Sequence, residues 1–149
     1  MEVVKYHFEK ELKEAFAALN LKWIDEMFYV EEEDKKVLAI IDQAVMEGSK
    51  IYFTLNDGKP VACLMLVKVN DTTYELAKFA SAMPKAGSLC LEYALNDAKS
   101  FAKRLFIATN TKCEAAIHLY KKYGFTEYKT DNTYGFSAYR VNICFEKYL

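Results

Sequence analysis

Apolar and polar residues alternate from Val3 to Phe8, the two-residue period of a strand. From Glu9 the period changes: Leu12, Phe16, Leu19 and Trp23 recur at three- and four-residue steps and mark one helical face. Asn20 lies inside this stretch, so one helix or two short ones fit the pattern. Glu31 to Asp34 lead into Val37, Leu38, Ile41 and Val45, which predict a second helix. Its acidic start suits the positive end of the helix dipole, and Gly48 is a natural stop. The middle of the chain reads as β: Ile51–Leu55, a hairpin signal at Asn56-Asp57-Gly58, Val61–Val69, a turn at Asn70-Asp71, and Tyr74–Phe79. After a loop from Ser81 to Gly87, the residues Leu91, Ala94, Leu95, Ala98 and Phe101 define a long helix. Arg104–Ala108 is nearly continuous in apolar character, as expected of a strand buried on both faces. Strand, loop, helix and strand in that order predict a βαβ crossover with parallel strands. Ala115, Ala116, Leu119 and Tyr120 mark a last helix that stops at Tyr123-Gly124-Phe125. The tail, Thr126–Leu149, predicts two strands around a loop holding Asp131, Asn132 and Gly135. There is no internal repeat, low-complexity tract or linker, and the expectation is one mixed α/β domain over residues 1–149.

Composition narrows what such a domain does. Of 149 residues, 52% are hydrophobic and 28% charged, enough for a packed core under a solvated surface. Twenty basic residues nearly cancel 21 acidic ones, so no electrostatic footprint for nucleic acid or an anionic membrane is expected. Only Arg104 and Arg140 are arginines, which makes bidentate phosphate recognition scarce. Cys63, Cys90, Cys113 and Cys144 sit in apolar stretches without CxxC spacing, and His7 and His118 are the only histidines. These predict reduced, buried thiols and no metal site. The first ten residues lack a signal-peptide pattern, and the longest apolar run, Ala62 to Val67, is too short to span a bilayer. A soluble, cytoplasmic protein is expected.

Three features fall in one order. The strand Tyr74-Glu75-Leu76-Ala77-Lys78 carries an embedded carboxylate and runs through a loop into a helix N-terminus. A second strand–helix junction follows at Ala108-Thr109-Asn110. Its helix presents Ala116 and Tyr120 four residues apart, on one face, before Gly124-Phe125. The block from Asn110 through Ala116 and Tyr120 to Gly124-Phe125 resembles the C-terminal motif of the GNAT superfamily of acyl-CoA-dependent N-acetyltransferases. Tyr74–Phe79 is similar to the strand before that family's pyrophosphate loop. Leu19-Asn-Leu-Lys-Trp23-Ile and Tyr139-Arg-Val-Asn142-Ile resemble a bacterial branch of it. The sequence departs from the family at the loop itself. In place of Gln or Arg followed by spaced glycines it has Ala82-Met-Pro-Lys-Ala-Gly87-Ser-Leu, a few residues shorter, in which only Gly87 fits the pattern.

The resemblance implies a mostly antiparallel twisted sheet with helices on both faces and a V-shaped splay between the fourth and fifth strands. It implies acetyl-CoA as co-substrate and a primary amine, free or on a peptide, as acceptor. In that reading Glu75 is the general base and Tyr120 the acid that protonates the leaving thiolate. Cofactor contacts fall on Phe79, Ala80 and Ser81, on Lys85, on the backbone N–H groups of Gly87, Ser88 and Leu89, and on Asn110, Ala116 and Tyr120. The residues alone also permit plainer roles: a solvent-facing strand glutamate for Glu75, a core-edge aromatic for Tyr120 and a helix N-cap for Asn110. Leu19–Tyr29 and Thr130–Ser137 are the expected acceptor-binding segments, and aromatic residues in the tail are compatible with a homodimer. The shortened loop leaves open a non-catalytic module that keeps the fold and binds CoA or another ligand.

Overall fold

The computed structural model describes residues 1–129 and 140–149. The elements are β1 (Glu2–Lys5), α1 (Lys10–Met27), α2 (Glu32–Ala39), α3 (Ile41–Met46), β2 (Lys50–Asn56), β3 (Lys59–Lys68), β4 (Thr73–Ser81), α4 (Ala86–Ala98), β5 (Arg104–Thr109), α5 (Glu114–Lys122), β6 (Thr126–Tyr128) and β7 (Ile143–Tyr148). The strands form one seven-stranded sheet in the order β1-β2-β3-β4-β5-β7-β6, antiparallel except where β4 meets β5. One face packs α4 and α5 over Leu64, Leu66, Leu76, Leu105 and Ile107. The other packs α1, α2 and α3 over Ile51, Phe53, Cys63 and Met65.

Three expectations shift in detail. Asn20 does not divide α1, because its amide donates to the Phe16 carbonyl (2.9 Å) and to Cys63 Sγ (3.4 Å) and is thereby satisfied inside the core. The second helix is broken at Ile40, which stays 61% exposed while Ile41 turns inward at 1%. The helix before β5 ends at Ala98, and Phe101 instead packs edge-on against Tyr74, ring centroids 4.9 Å apart. The hairpin forms at Asp57-Gly58, as Asn56-Asp57-Gly58 requires. The tail holds β6 and β7; the loop expected at Asp131, Asn132 and Gly135 lies outside the described residues.

Two irregularities create the site. First, β4 pairs with β5 over Thr73–Glu75 against Arg104–Phe106 only; beyond this β4 stays on β3 while β5 follows β7. The sheet therefore opens into a V between Leu76–Ser81 and Ile107–Thr109. Second, β4 carries a bulge: Met65 faces Ala77 and Cys63 faces Ala80, so Leu64 alone opposes Lys78 and Phe79. Lys78 takes a left-handed conformation there, φ 53°. Cys63 holds the bulge in place. Its thiol points at the Lys78 carbonyl (3.6 Å) and accepts from the Ala80 N–H and the Asn20 amide.

Candidate active site

A cavity of about 120 Å3 fills the V. One arm contributes Glu75, Leu76, Ala77, Lys78 and Phe79, the other Ile107, Ala108 and Thr109. Helix α5 adds Ala116 and Tyr120, α1 adds Asn20, Trp23 and Ile24, and Phe28 and Arg140 close one side. A groove of about 370 Å3 shares Trp23, Phe79 and Ala116 with the cavity and runs to Lys85, Gly87 and Ser88 at the start of α4.

Strand alternation places Glu75 opposite Tyr74 and Leu76, whose side chains go to the α4 core. Glu75 thus lines the cavity and is partly buried. Burial pushes its carboxyl up to about 7, with the nearby Lys78 cation partly opposing. Tyr120 reaches the same cavity from α5 and is 4% exposed. Its place follows from how α5 ends. The Phe125 N–H bonds to the Tyr120 carbonyl (2.9 Å) and the Gly124 N–H to that of Lys121 (3.1 Å). This is the paired cap of a Schellman motif, and Gly124 supplies the positive φ it needs, 93°. The cap brings the Phe125 ring against Tyr120 at 5.9 Å, and Phe79 and Phe145 flank the same ring at 6.1 Å. The Tyr-x-x-x-Gly-Phe spacing is thus a helix-termination signal that also fixes where the Tyr120 ring lies. Burial, with Cys113 alongside, holds the Tyr120 phenol well above its ordinary range, so it is protonated at neutral pH.

At the start of α4 the connection from β4 is only Ala82–Lys85. The N–H groups of Gly87 and Ser88 have no backbone partner among the described residues. The N–H of Leu89, expected to be available, is already bonded to the Lys85 carbonyl at 3.1 Å and helps close the first helical turn. A Cβ on Gly87 would come within 3.2 Å of Ser81 Cβ and 3.3 Å of Phe79 Cζ, so only glycine keeps this floor open. Lys85 is exposed beside it. Ala80 lies on the opposite face against α1, its N–H taken by Cys63, and lines neither the cavity nor the groove. Asn110 is not the N-cap of α5; Cys113 is. The Asn110 side chain accepts the Lys112 N–H (2.9 Å) and shapes the loop after β5, away from both cavity linings. Asn142 braces the same loop by accepting the Thr111 N–H at 2.9 Å.

The residues that sequence reasoning missed are charged. Arg140 forks onto Asp34 with contacts of 2.7 and 2.9 Å and donates to the Tyr29 carbonyl at 2.5 Å. Asp34 is fully buried. Burial alone would raise its carboxyl, but the Arg140 fork and the Glu31 N–H hold it below the usual range. Lys78 sits between this pair and Glu75, and burial lowers its ammonium from the ordinary value. The sequence signals for Arg140 are its rarity and its place in the Tyr139-Arg-Val-Asn142-Ile segment. Lys78 had none, since a regular strand would point it away from Glu75. The other arginine, Arg104, is engaged with Glu146 at 2.9 Å. The segment expected at Thr130–Ser137, and Tyr139, lie outside the described residues.

A mixed sheet opened into a V, a carboxylate on one arm, a tyrosine on the facing helix and a helix start at the end of the groove define an acyltransferase-type architecture. The model of the acetyltransferase (GNAT) family matches residues 17–125, and the chain belongs to that family. Among solved structures, a GNAT-family acetyltransferase from Staphylococcus aureus Mu50 is similar at a TM-score of 0.81 and 16% identity, with 99% of each chain covered. An acetyltransferase from Streptococcus agalactiae 2603 is similar at 0.80 and 18% identity, covering 99% of this chain and 98% of that one. The PaiA N-acetyltransferase from Thermoplasma acidophilum, solved in complex with coenzyme A, is similar at 0.73 and 16% identity over the whole of both chains. Curated proteins give no significant sequence match. Among the described residues no helix is long and apolar enough to cross a membrane.

Proposed function

We propose that this protein is a cytoplasmic, single-domain N-acetyltransferase that moves an acetyl group from acetyl-CoA to a primary amine by direct attack. The observation that carries the reading is the meeting of Glu75 and Tyr120 on one cavity at the mouth of the β4–β5 splay. Acetyl-CoA supplies an activated acyl thioester. The free N–H groups of Gly87 and Ser88, the open floor at Gly87 and the exposed Lys85 fit its pyrophosphate, and the unpaired arms of the V fit an extended pantetheine laid down like an added strand. Phe79 and Ser81 line that path, and Ala116 and Tyr120 face it.

Glu75, with its carboxyl near 7, takes the proton from the acceptor ammonium, directly or through water, and attracts its charge beforehand. Tyr120, held protonated, gives its proton to the departing sulfur. With the Ala80 N–H committed to Cys63, the Phe79 N–H beside the bulge is the donor left on this strand to polarise the acetyl carbonyl. Asn20, Trp23, Ile24 and Phe28, within the expected Leu19–Tyr29 segment, form the acceptor side. Titration calorimetry with acetyl-CoA, followed by a thiol-release assay over an amine panel, tests the assignment. Binding with amine-dependent thiol release is the expected result. The short Ala82–Lys85 connection, without the family's Gln or Arg, favours one rival, a CoA-binding module without turnover. Binding without release for any amine would establish that rival.

A further inference from the structure

Lys78 has no part in the reaction above, yet it lines the same cavity as Glu75 and Tyr120. In a regular strand, residues three apart point to opposite faces. The bulge cancels that alternation and turns Lys78 toward Glu75 and the Asp34–Arg140 pair. A lysine at φ 53° adopts a conformation that L-residues rarely take, and here the Cys63 contacts to Lys78 and Ala80 hold it there. The resulting side chain lines the cavity that Glu75 and Tyr120 share.

We propose that Lys78 is itself an acetyl acceptor: the protein acetylates Lys78 Nζ inside its own cavity. The inference rests on the acetyl-CoA reading given above. In the step, the lysine ammonium loses a proton to Glu75 and the neutral amine attacks the thioester carbonyl. The C–S bond breaks as the N–C bond forms, the second amine proton leaves to solvent, and the thiolate sulfur takes a proton from Tyr120. The products are an acetamide on Lys78 and free CoA thiol. Burial, the largest influence, and the Arg140 guanidinium favour the neutral amine; the carboxylates of Asp34, Glu75 and Glu33 oppose, and the opposition of Glu75 ends once it has taken the proton. The modified side chain is longer and uncharged. It occupies part of a cavity of only about 120 Å3 and removes the cation that lowers Glu75, so the acetylated form is blocked toward external amines.

The test is label incorporation. The wild-type chain is incubated with deuterated acetyl-CoA without any amine, and followed by intact mass and peptide mapping. The expected result is a single labelled acetyl, about 42 Da before the isotope correction, on the peptide containing Lys78. Its first-order rate is the same at all protein concentrations, because a half-buried lysine lining its own cavity reacts within its own molecule. Lys78→Arg, checked for an unchanged melting profile, incorporates none at that site, and Glu75→Gln slows incorporation roughly tenfold or more. Label confined to exposed lysines, or a rate that rises with protein concentration, overturns the proposal. So does an unlabelled Lys78 in a protein that binds acetyl-CoA and acetylates an added amine, which leaves the acetyltransferase assignment standing. No acetyl-CoA binding removes both.

Discussion

Glu75→Gln separates the catalytic and the structural costs of one side chain. Folding carries the Glu75 carboxyl from 4.5 to about 7, mainly by burial. Between those values the folded state binds more protons than the unfolded one, so the ionisable group makes the protein lose stability as pH rises. Above pH 7 the loss is complete; below about 4.5 it vanishes. At about 1.4 kcal/mol per pH unit, the ceiling is about 3 kcal/mol. The attraction to Lys78 is already included in that balance. Glutamine keeps the shape and cannot ionise, so the variant should be more stable than the parent at pH 8. At roughly 3 °C per kcal/mol for a domain of this size, the gain is at most ~10 °C in melting temperature. It should shrink steadily toward pH 5. In the same variant the acidic limb of the pH–rate profile, centred near 7 in the parent, should disappear, and residual activity should follow the fraction of acceptor already deprotonated. Melting curves from pH 5 to 9, paired with initial rates for one amine, measure both. Superimposable melting across that range would show that Glu75 is solvated, and superimposable rate profiles would show that it is a bystander.

Three further outcomes follow from other residues. Tyr120→Phe keeps the ring packed among Phe79, Phe125 and Phe145; turnover should drop by roughly ten- to a thousandfold while acetyl-CoA affinity, read by calorimetry, barely changes. Arg140→Ala strands the fully buried Asp34 carboxylate and should cost about 3–5 kcal/mol in urea unfolding, most of it recovered on adding Asp34→Asn. Gly87→Ala puts a methyl 3.2 Å from Ser81 Cβ and 3.3 Å from Phe79 Cζ, so acetyl-CoA binding should weaken by about tenfold or more, and the parent's own affinity should fall with salt as Lys85 is screened.

Local periodicity and punctuation were enough for most of the architecture. The Asn56-Asp57-Gly58 turn, the meander of β2, β3 and β4, the parallel return to β5 and the Gly124-Phe125 stop are all encoded by neighbours within a few residues, because turn chemistry and hydrophobic period act at that range. Glu75 and Tyr120 were singled out by the family resemblance of their segments, since local pattern alone permits a strand glutamate and a core-edge aromatic. Long-range packing decided the rest. The single α1 depends on a Cys63 thiol forty-three positions away accepting from Asn20, and the break at Ile40 depends on which isoleucine the core accepts. Asn110 and Asn142 became loop braces on opposite sides of the same turn. Above all, the cavity's charge pattern was invisible in one dimension. Alternation along β4 assigns Glu75 and Lys78 to opposite faces, and only the bulge opposite Leu64 brings them together. Arg140 meets Asp34 across 106 positions of chain. A strand's period specifies which way a side chain points only while the ladder stays regular. At the splay and the bulge, where the ladder is interrupted, direction is set by the partner strands and helices.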